Sequence, residues 1–142
     1  MPLLSDKTIM AIGAVVDIAL RANRPVSSRD LAKRLHLPGR SLEPALQALV
    51  REGILQGVRG PNGGYQLAAP RQLISIHRII KVVSAMEAAE RAGQAAWLLN
   101  NVIVPSMWQA EEQFLSTLKR ITVEDLVRTA RLNTTGLDRP CS

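Results

Sequence analysis

Cysteine is almost absent from this 142-residue chain: its one thiol, Cys141, stands beside the C-terminus. One thiol closes no disulfide within the chain and builds no multi-cysteine metal site. Histidine is nearly as scarce, with His36 and His77 alone. Aromatic residues make up 3% of the chain against 46% hydrophobic overall, so the core must be packed from aliphatic side chains. No uninterrupted apolar run could span a bilayer. The N-terminus lacks a basic segment followed by an apolar stretch and a small-residue cleavage site, so a cytoplasmic protein with no membrane partner is expected. No nucleophile–base pair, phosphate-binding glycine loop or carboxylate dyad stands out either. An enzyme is therefore not expected, and neither a metal nor any other cofactor is.

What is present is positive charge, and it is unevenly spread. Residues 1–83 hold 12 Lys/Arg against 5 Asp/Glu, whereas residues 84–142 hold 6 against 7, within a net charge of +6. An anionic partner is implied for the first part. The length fits one domain with an appended oligomerisation element.

The chain is organised around the run from Arg59 to Leu67. Gly60-Pro61-Asn62-Gly63-Gly64 is almost entirely turn formers, set between Ile54 to Val58 and Tyr65 to Leu67, and predicts a hairpin. Such a basic, glycine-rich tip suits a minor groove or a phosphate backbone, because glycines allow close backbone approach.

Ser5 and Asp6 offer caps to a first helix, whose inward face is predicted from Ile9, Ile12, Val15, Val16, Ala19 and Leu20. The run Ala22 to Pro25 ends it. Ser27 and Asp30 stand as a capping pair for a short second helix that turns Leu31 and Leu35 inward and leaves Arg29, Lys33 and Arg34 outside. His36 to Gly39 forms a turn. The third helix, from about Arg40 to Glu52, buries Leu42, Ala45, Leu46, Leu49 and Val50, with Pro44 tolerated in its first turn and Gly53 as its stop. Its other face carries Arg40, Ser41, Glu43, Gln47 and Arg51. Such faces are usually just solvated, but a helix-turn-helix directly ahead of a glycine-tipped hairpin raises a groove-reading role. The candidate DNA contacts are Ser28, Arg29, Arg40, Ser41, Glu43, Gln47, Arg59, Gly60, Asn62, Gly63, Gly64 and Tyr65.

A fourth helix is predicted over Leu73 to Val83, followed by small and charged residues 84–93 that read as a linker. A long helical pattern then runs over residues 94–120, with Pro105 expected to kink or split it. Its stripe cannot be buried by the helix alone, so a second copy of the chain is the expected partner. The candidate interface is Leu99, Ile103, Ser106, Ala110, Phe114 and Ile121; the alternative is a helix folded back on its own domain. Thr122 to Asp125 caps a last short helix. The expected fold class is mainly α with a small β-hairpin. A winged helix-turn-helix DNA-binding domain (1–83) leads to a linker, dimerisation helix and closing helix (84–131), then a flexible tail (132–142).

The arrangement resembles the Rrf-two family of winged-helix regulators, which includes IscR, NsrR and CymR. The matching residues are Val26-Ser27-Ser28-Arg29-Asp30-Leu31-Ala32, Leu42-Glu43-Pro44-Ala45-Leu46, Leu49 to Leu55, Arg59 to Leu67, and Ile74-Ser75-Ile76. Thr122 to Leu126 resembles the family's closing helix. The resemblance implies a homodimeric transcription regulator, usually a repressor, on a palindromic double-stranded operator. Cluster-binding members carry three cysteines between the fourth and long helices, yet Ser84 to Ala110 here contains neither Cys nor His. An iron–sulfur cluster needs several thiolate or imidazole ligands, so cluster sensing is not expected. The alternative function is a winged-helix interaction module acting through a partner protein, and a small-molecule or protein effector is left open.

Cys141 has only Arg139 as a nearby cation, too little to make a reactive thiolate. Cys141→Ser is expected to leave DNA binding unchanged in reducing and oxidising buffer alike. A thiol-dependent loss of binding that disappears in the serine variant would contradict this.

Overall fold

The computed structural model describes residues 4–21, 24–37, 39–92 and 97–137. Helix α1 (Asp6–Leu20) starts where Ser5 accepts the Thr8 amide at 3.2 Å. It buries Ala11, Ala14, Val15, Ile18 and Ala19 against α3 (Gly39–Arg51), α4 (Ile76–Ala92) and α6 (Val123–Leu137). The helix is rotated from the face predicted by spacing. Val15 and Ala19 are buried, but Ile9 is 45% exposed and Ile12, Val16 and Leu20 are only partly covered. Nearly every position from 9 to 20 is apolar, so periodicity carried little phase information. The alanine edge faces inward because small side chains let several helices approach.

Helix α2 (Ser28–Arg34) is capped by Ser27, whose hydroxyl accepts the Asp30 amide at 3.1 Å. The turn into α3 holds His36 at φ +55°, a conformation uncommon outside glycine. Pro38, expected in this turn, lies outside the described residues. Helix α3 begins at Gly39, which makes Pro44 its sixth residue rather than part of its first turn. The proline therefore removes one hydrogen bond from the helix interior. Gly53, at φ +77°, ends the segment.

Strands β1 (Leu55–Val58) and β2 (Gly64–Leu67) pair antiparallel, with Leu55 opposite Leu67 and Val58 opposite Gly64. A second pairing was not legible in the sequence. Val26, just ahead of α2, bridges Tyr65 through two main-chain hydrogen bonds of 2.9 and 2.8 Å. Gly64 permits it: a Cβ there would lie 2.4 Å from the Val26 carbonyl, and φ is +151°.

The C-terminal part differs most from expectation. A 3-10 turn occupies Arg71–Leu73, so α4 starts at Ile76, with Ser75 accepting the Arg78 amide. It then continues to Ala92, through the residues read as a linker and across the boundary expected at residue 83. Ala, Met, Glu and Arg dominate that stretch and are strong helix formers. Residues 93–96 of the expected linker and long helix lie outside the described residues. Leu99–Ile103 is a π-helical turn that runs directly into α5 (Val104–Thr117), with Pro105 in its first turn, so the regular α-helix is interrupted just before the proline while the helical run continues through it. A 3-10 turn at Leu118–Arg120 leads to α6, whose capping box joins Thr122 and Asp125 reciprocally at 2.9 and 3.2 Å. Helix α6 extends to Leu137 and takes in the first residues assigned to the tail, while 138–142, including Cys141, lie outside the described residues.

Leu115, Val123 and Val127 join the same buried cluster as Leu31, Leu46 and Ile79. The Ile76 and Val123 amides also donate to the Ile121 and Ile74 carbonyls at 2.8 and 2.9 Å, and Arg71 pairs with Glu124. The C-terminal helices are thus built onto the winged helix rather than strung beyond it.

Gly64→Ala is expected to destabilise the fold by about 1–3 kcal/mol, because backbone atoms must move and the positive φ is strained. Gly57→Ala, with nothing within 4 Å of the added carbon, is the control. Thermal unfolding checks both, and equal midpoints would show that the Val26–Tyr65 bridge yields without cost.

Candidate nucleic-acid interface

Helix α3 and the hairpin meet at Tyr65. The residue is 8% exposed. Its hydroxyl donates to Glu43 Oε1 and accepts from Gln47 Nε2, both at 2.9 Å. Glu43 and Gln47 are one helical turn apart, so both reach the same oxygen from one face of α3. Burial, then the hydrogen bond to Glu43 and its charge, push the phenol up to about 12, with Gln47 opposing. Tyr65 stays neutral and donating at any ordinary pH.

The other candidate contacts fall around this joint. Arg59, Gly60, Pro61 and Asn62 form an exposed tip, closed by a 3.0 Å hydrogen bond from the Gly63 amide to the Gly60 carbonyl. Gly63 is partly covered: a Cβ there would meet the Val58 oxygen at 2.1 Å, so the tip's turn requires glycine. Gly64 is partly covered and faces Val26. Arg40 and Ser41 lie in the first turn of α3, and their side chains are outside the described set. Ser28 and Arg29 open α2, with Arg29 exposed. Between α3 and the hairpin lies a hollow of about 290 Å³, bounded by Gln47, Val50, Val58, Arg59 and Tyr65. The surface therefore combines one exposed helix face, a basic glycine tip and a concavity between them.

Some cations of this half are committed elsewhere. Arg34, left outside by the sequence pattern, forms a bidentate pair with Asp17 of α1 at 2.7–3.1 Å. That partnership joins residues 17 apart and left no local signal. His77 is partly buried on α4, its Nε2 without a hydrogen-bond partner, and burial followed by Lys119 and Lys81 lowers its pKa. No group of three or more His, Cys, Asp or Glu among the described residues could hold a metal ion.

The candidate interface residues of the long helix divide. Ile103, Ser106 and Ala110 are exposed, as are their neighbours Trp97, Leu98, Val102 and Met107. Phe114 and Ile121 are instead half-buried against the chain's own core, Phe114 next to the fully buried Leu115 and Ile121 where its carbonyl accepts the Ile76 amide. Leu99 lies in the π-helical turn, with its side chain outside the described set.

The Rrf2 (Rrf-two) family profile, described as iron-dependent transcriptional regulator, matches residues 4–129. The chain belongs to the Rrf2 family. It is 34% identical over 131 residues to the putative HTH-type transcriptional regulator slr0846 of Synechocystis, covering 90% of this chain and 89% of that one. Among solved structures, IscR of T. potens superposes with a TM-score of 0.67 at 26% identity, over 89% of this chain and 87% of that one. CymR, the global cysteine regulator of B. subtilis, superposes at 0.68 with 22% identity, over 89% and 96%. The relatives are transcriptional regulators and not enzymes, and this Rrf2 protein is a DNA-binding regulator of the winged-helix class.

Tyr65 is the only tyrosine of this Rrf2 protein, so tyrosinate absorbance reads it alone. The midpoint is expected near 12 when folded and near 10 in denaturant. Because the folded pKa is the higher, the stability it contributes is whole below about pH 10 and lost as pH rises toward 12. Tyr65→Phe should abolish that alkaline loss. A folded-state midpoint near 10 would contradict the buried, hydrogen-bonded phenol.

Proposed function

We propose that this Rrf2 protein is a homodimeric, sequence-specific repressor that works without an iron–sulfur cluster. One observation carries the reading: Tyr65 binds the hairpin to the exposed face of α3, so helix and wing form a single surface in the positively charged half of the chain. Helix α3 enters the major groove, with Arg40, Ser41, Glu43 and Gln47 toward the base edges. The tip carrying Arg59, Gly60 and Asn62 follows the minor groove or phosphates, with Gly63 and Gly64 shaping it. Ser28 and Arg29 meet the backbone at the start of α2. Tyr65 acts by positioning Glu43, Gln47 and the wing. The protein acts in the cytoplasm; among the described residues no helix is long and apolar enough to cross a membrane.

A single winged helix reads too few base pairs to find one site among genomic competitors, whereas a two-fold pair reads a palindrome. The exposed strip of Ile103, Ser106 and Ala110, extended by Leu99, Phe114 and Ile121, supplies the pairing surface, and its small residues allow close helix approach. Repression then needs only occupancy of the operator. The cluster reading fails on chemistry: the segment from Ser84 to Ala110 has no thiol or imidazole, and Cys141 is alone.

Two variants test this in gel shifts. Arg59→Ala should weaken binding to all duplexes and reduce the salt slope by about one, the signature of a lost phosphate contact. Its unfolding free energy should stay within about 0.5 kcal/mol of the parent's, since the residue is exposed. Ile103→Glu, at a position 42% exposed within its own chain, should sediment as a monomer with parental circular dichroism and lose operator binding. An Ile103→Glu protein that stayed dimeric, or an Arg59→Ala protein that bound as tightly as the parent, would contradict the corresponding assignment.

A further inference from the structure

A groove of about 480 Å³ runs between the C-terminal end of α3 and the outer face of α4, away from the hairpin. It exists because small side chains line it: Ala48 on α3, and Ala85 and Ala89 on α4, leave space that larger residues would fill. Val82 and Met86 complete an apolar floor, spaced along two to three turns of one helix face. The floor offers no side-chain hydrogen-bond donors or acceptors, and Met86 supplies an adaptable thioether that fits varied apolar shapes.

The rim is charged. Arg51, Arg78 and Lys81 stand with Glu52 around the groove. Arg51 is exposed and makes no ion pair among the described residues. Arg78 donates from Nη2 to the Glu52 carbonyl at 2.6 Å, which caps the end of α3 and leaves further N–H groups of its fork. Lys81 lies 3.9 Å from Glu112. Three cations set against Glu52 and Glu112 leave one net positive charge. That balance suits a monoanion, and an apolar floor suits a hydrocarbon chain rather than a sugar or a nucleotide. The volume is that of an ordinary small-ligand site.

We propose that this groove binds an amphipathic monoanion, an aliphatic carboxylate whose head meets the Arg51 and Arg78 guanidiniums and whose chain lies over Val82, Ala85, Met86 and Ala89. Guanidinium forks match a carboxylate in two-point geometry, which a single ammonium does not. The site stands on its own geometry. Its use as an effector site rests on the reading of the protein as a DNA-binding regulator, because α3 presents its other face to the operator and ends at this groove.

The test uses the free 142-residue protein and octanoate as the probe, followed by methionine-methyl NMR and titration calorimetry. Octanoate should shift the Met86 methyl saturably, and octanol, lacking the charge, should bind roughly tenfold more weakly or not at all. Arg51→Ala should weaken octanoate by a similar factor, and Ala85→Trp, which fills the groove from an exposed helix position, should abolish it. Both variants should keep the parental fold by circular dichroism. Failure of Met86 to respond, equal binding of octanol, or parental octanoate affinity in Ala85→Trp would overturn the proposal. A separate gel shift with operator scores the DNA reading, so a protein that bound octanoate but no DNA would refute that reading and leave the groove standing.

Discussion

Tyr65 touches three parts of the chain at once. Its main chain pairs with Val26 ahead of α2, its ring is buried in the core, and its hydroxyl lies between Glu43 and Gln47 on α3. A two-stranded hairpin is marginal by itself in water, and this one has only four residues in each strand. Fixing its direction needs contacts outside the hairpin. The bridge to Val26 adds a third strand-like segment, and the phenol adds a polar tie to the neighbouring helix. Gly64 is the steric condition for both, since any side chain there would strike the Val26 backbone.

The same logic of short main-chain ties recurs at the other end. Ser75 and Thr122 form an isolated bridge, with the Arg71–Glu124 pair beside it. Leu115, Val123 and Val127 then enter the winged-helix core, each burial of such a side chain contributing about 1.5–3 kcal/mol. The consequence for function is geometric. A dimer axis built from α5 would be held in a fixed relation to α3 and the hairpin, and half-site spacing on DNA depends on that relation.

Much of this was legible in the sequence, for identifiable reasons. The Arg59 to Leu67 run announced its turn because glycine and proline punctuate the chain locally, and Ser27 and Thr122 announced helix starts because capping is local too. Pro105 marked an interruption of the regular α-helix for the same reason. What was not legible depends on distant partners. The phase of α1 is set by which helices press on it, and its uniformly apolar sequence hid that. Tyr65 looked like a surface contact because nothing local reveals that Val26, Glu43 and Gln47 converge on it. Residues 84–92 looked like a linker by their small size and charge, although their helix propensity pointed the other way. Phe114 belonged to a continuous stripe in sequence, yet the fold turns it partly toward its own core.

The central claim is that the Tyr65 joint aims the hairpin tip and α3 at one stretch of duplex. The direct measurement is site-directed DNA cleavage by an iron chelate attached at the tip, through Asn62→Cys in a Cys141→Ser background. Two sharp clusters of cuts related by the operator's two-fold axis are expected, one at the edge of each half-site. Adding Tyr65→Phe should spread each cluster over more nucleotides. Bound operator left uncut by the chelate would mean that the tip points away from DNA, and clusters equally sharp without the hydroxyl would mean that Tyr65 does not aim it.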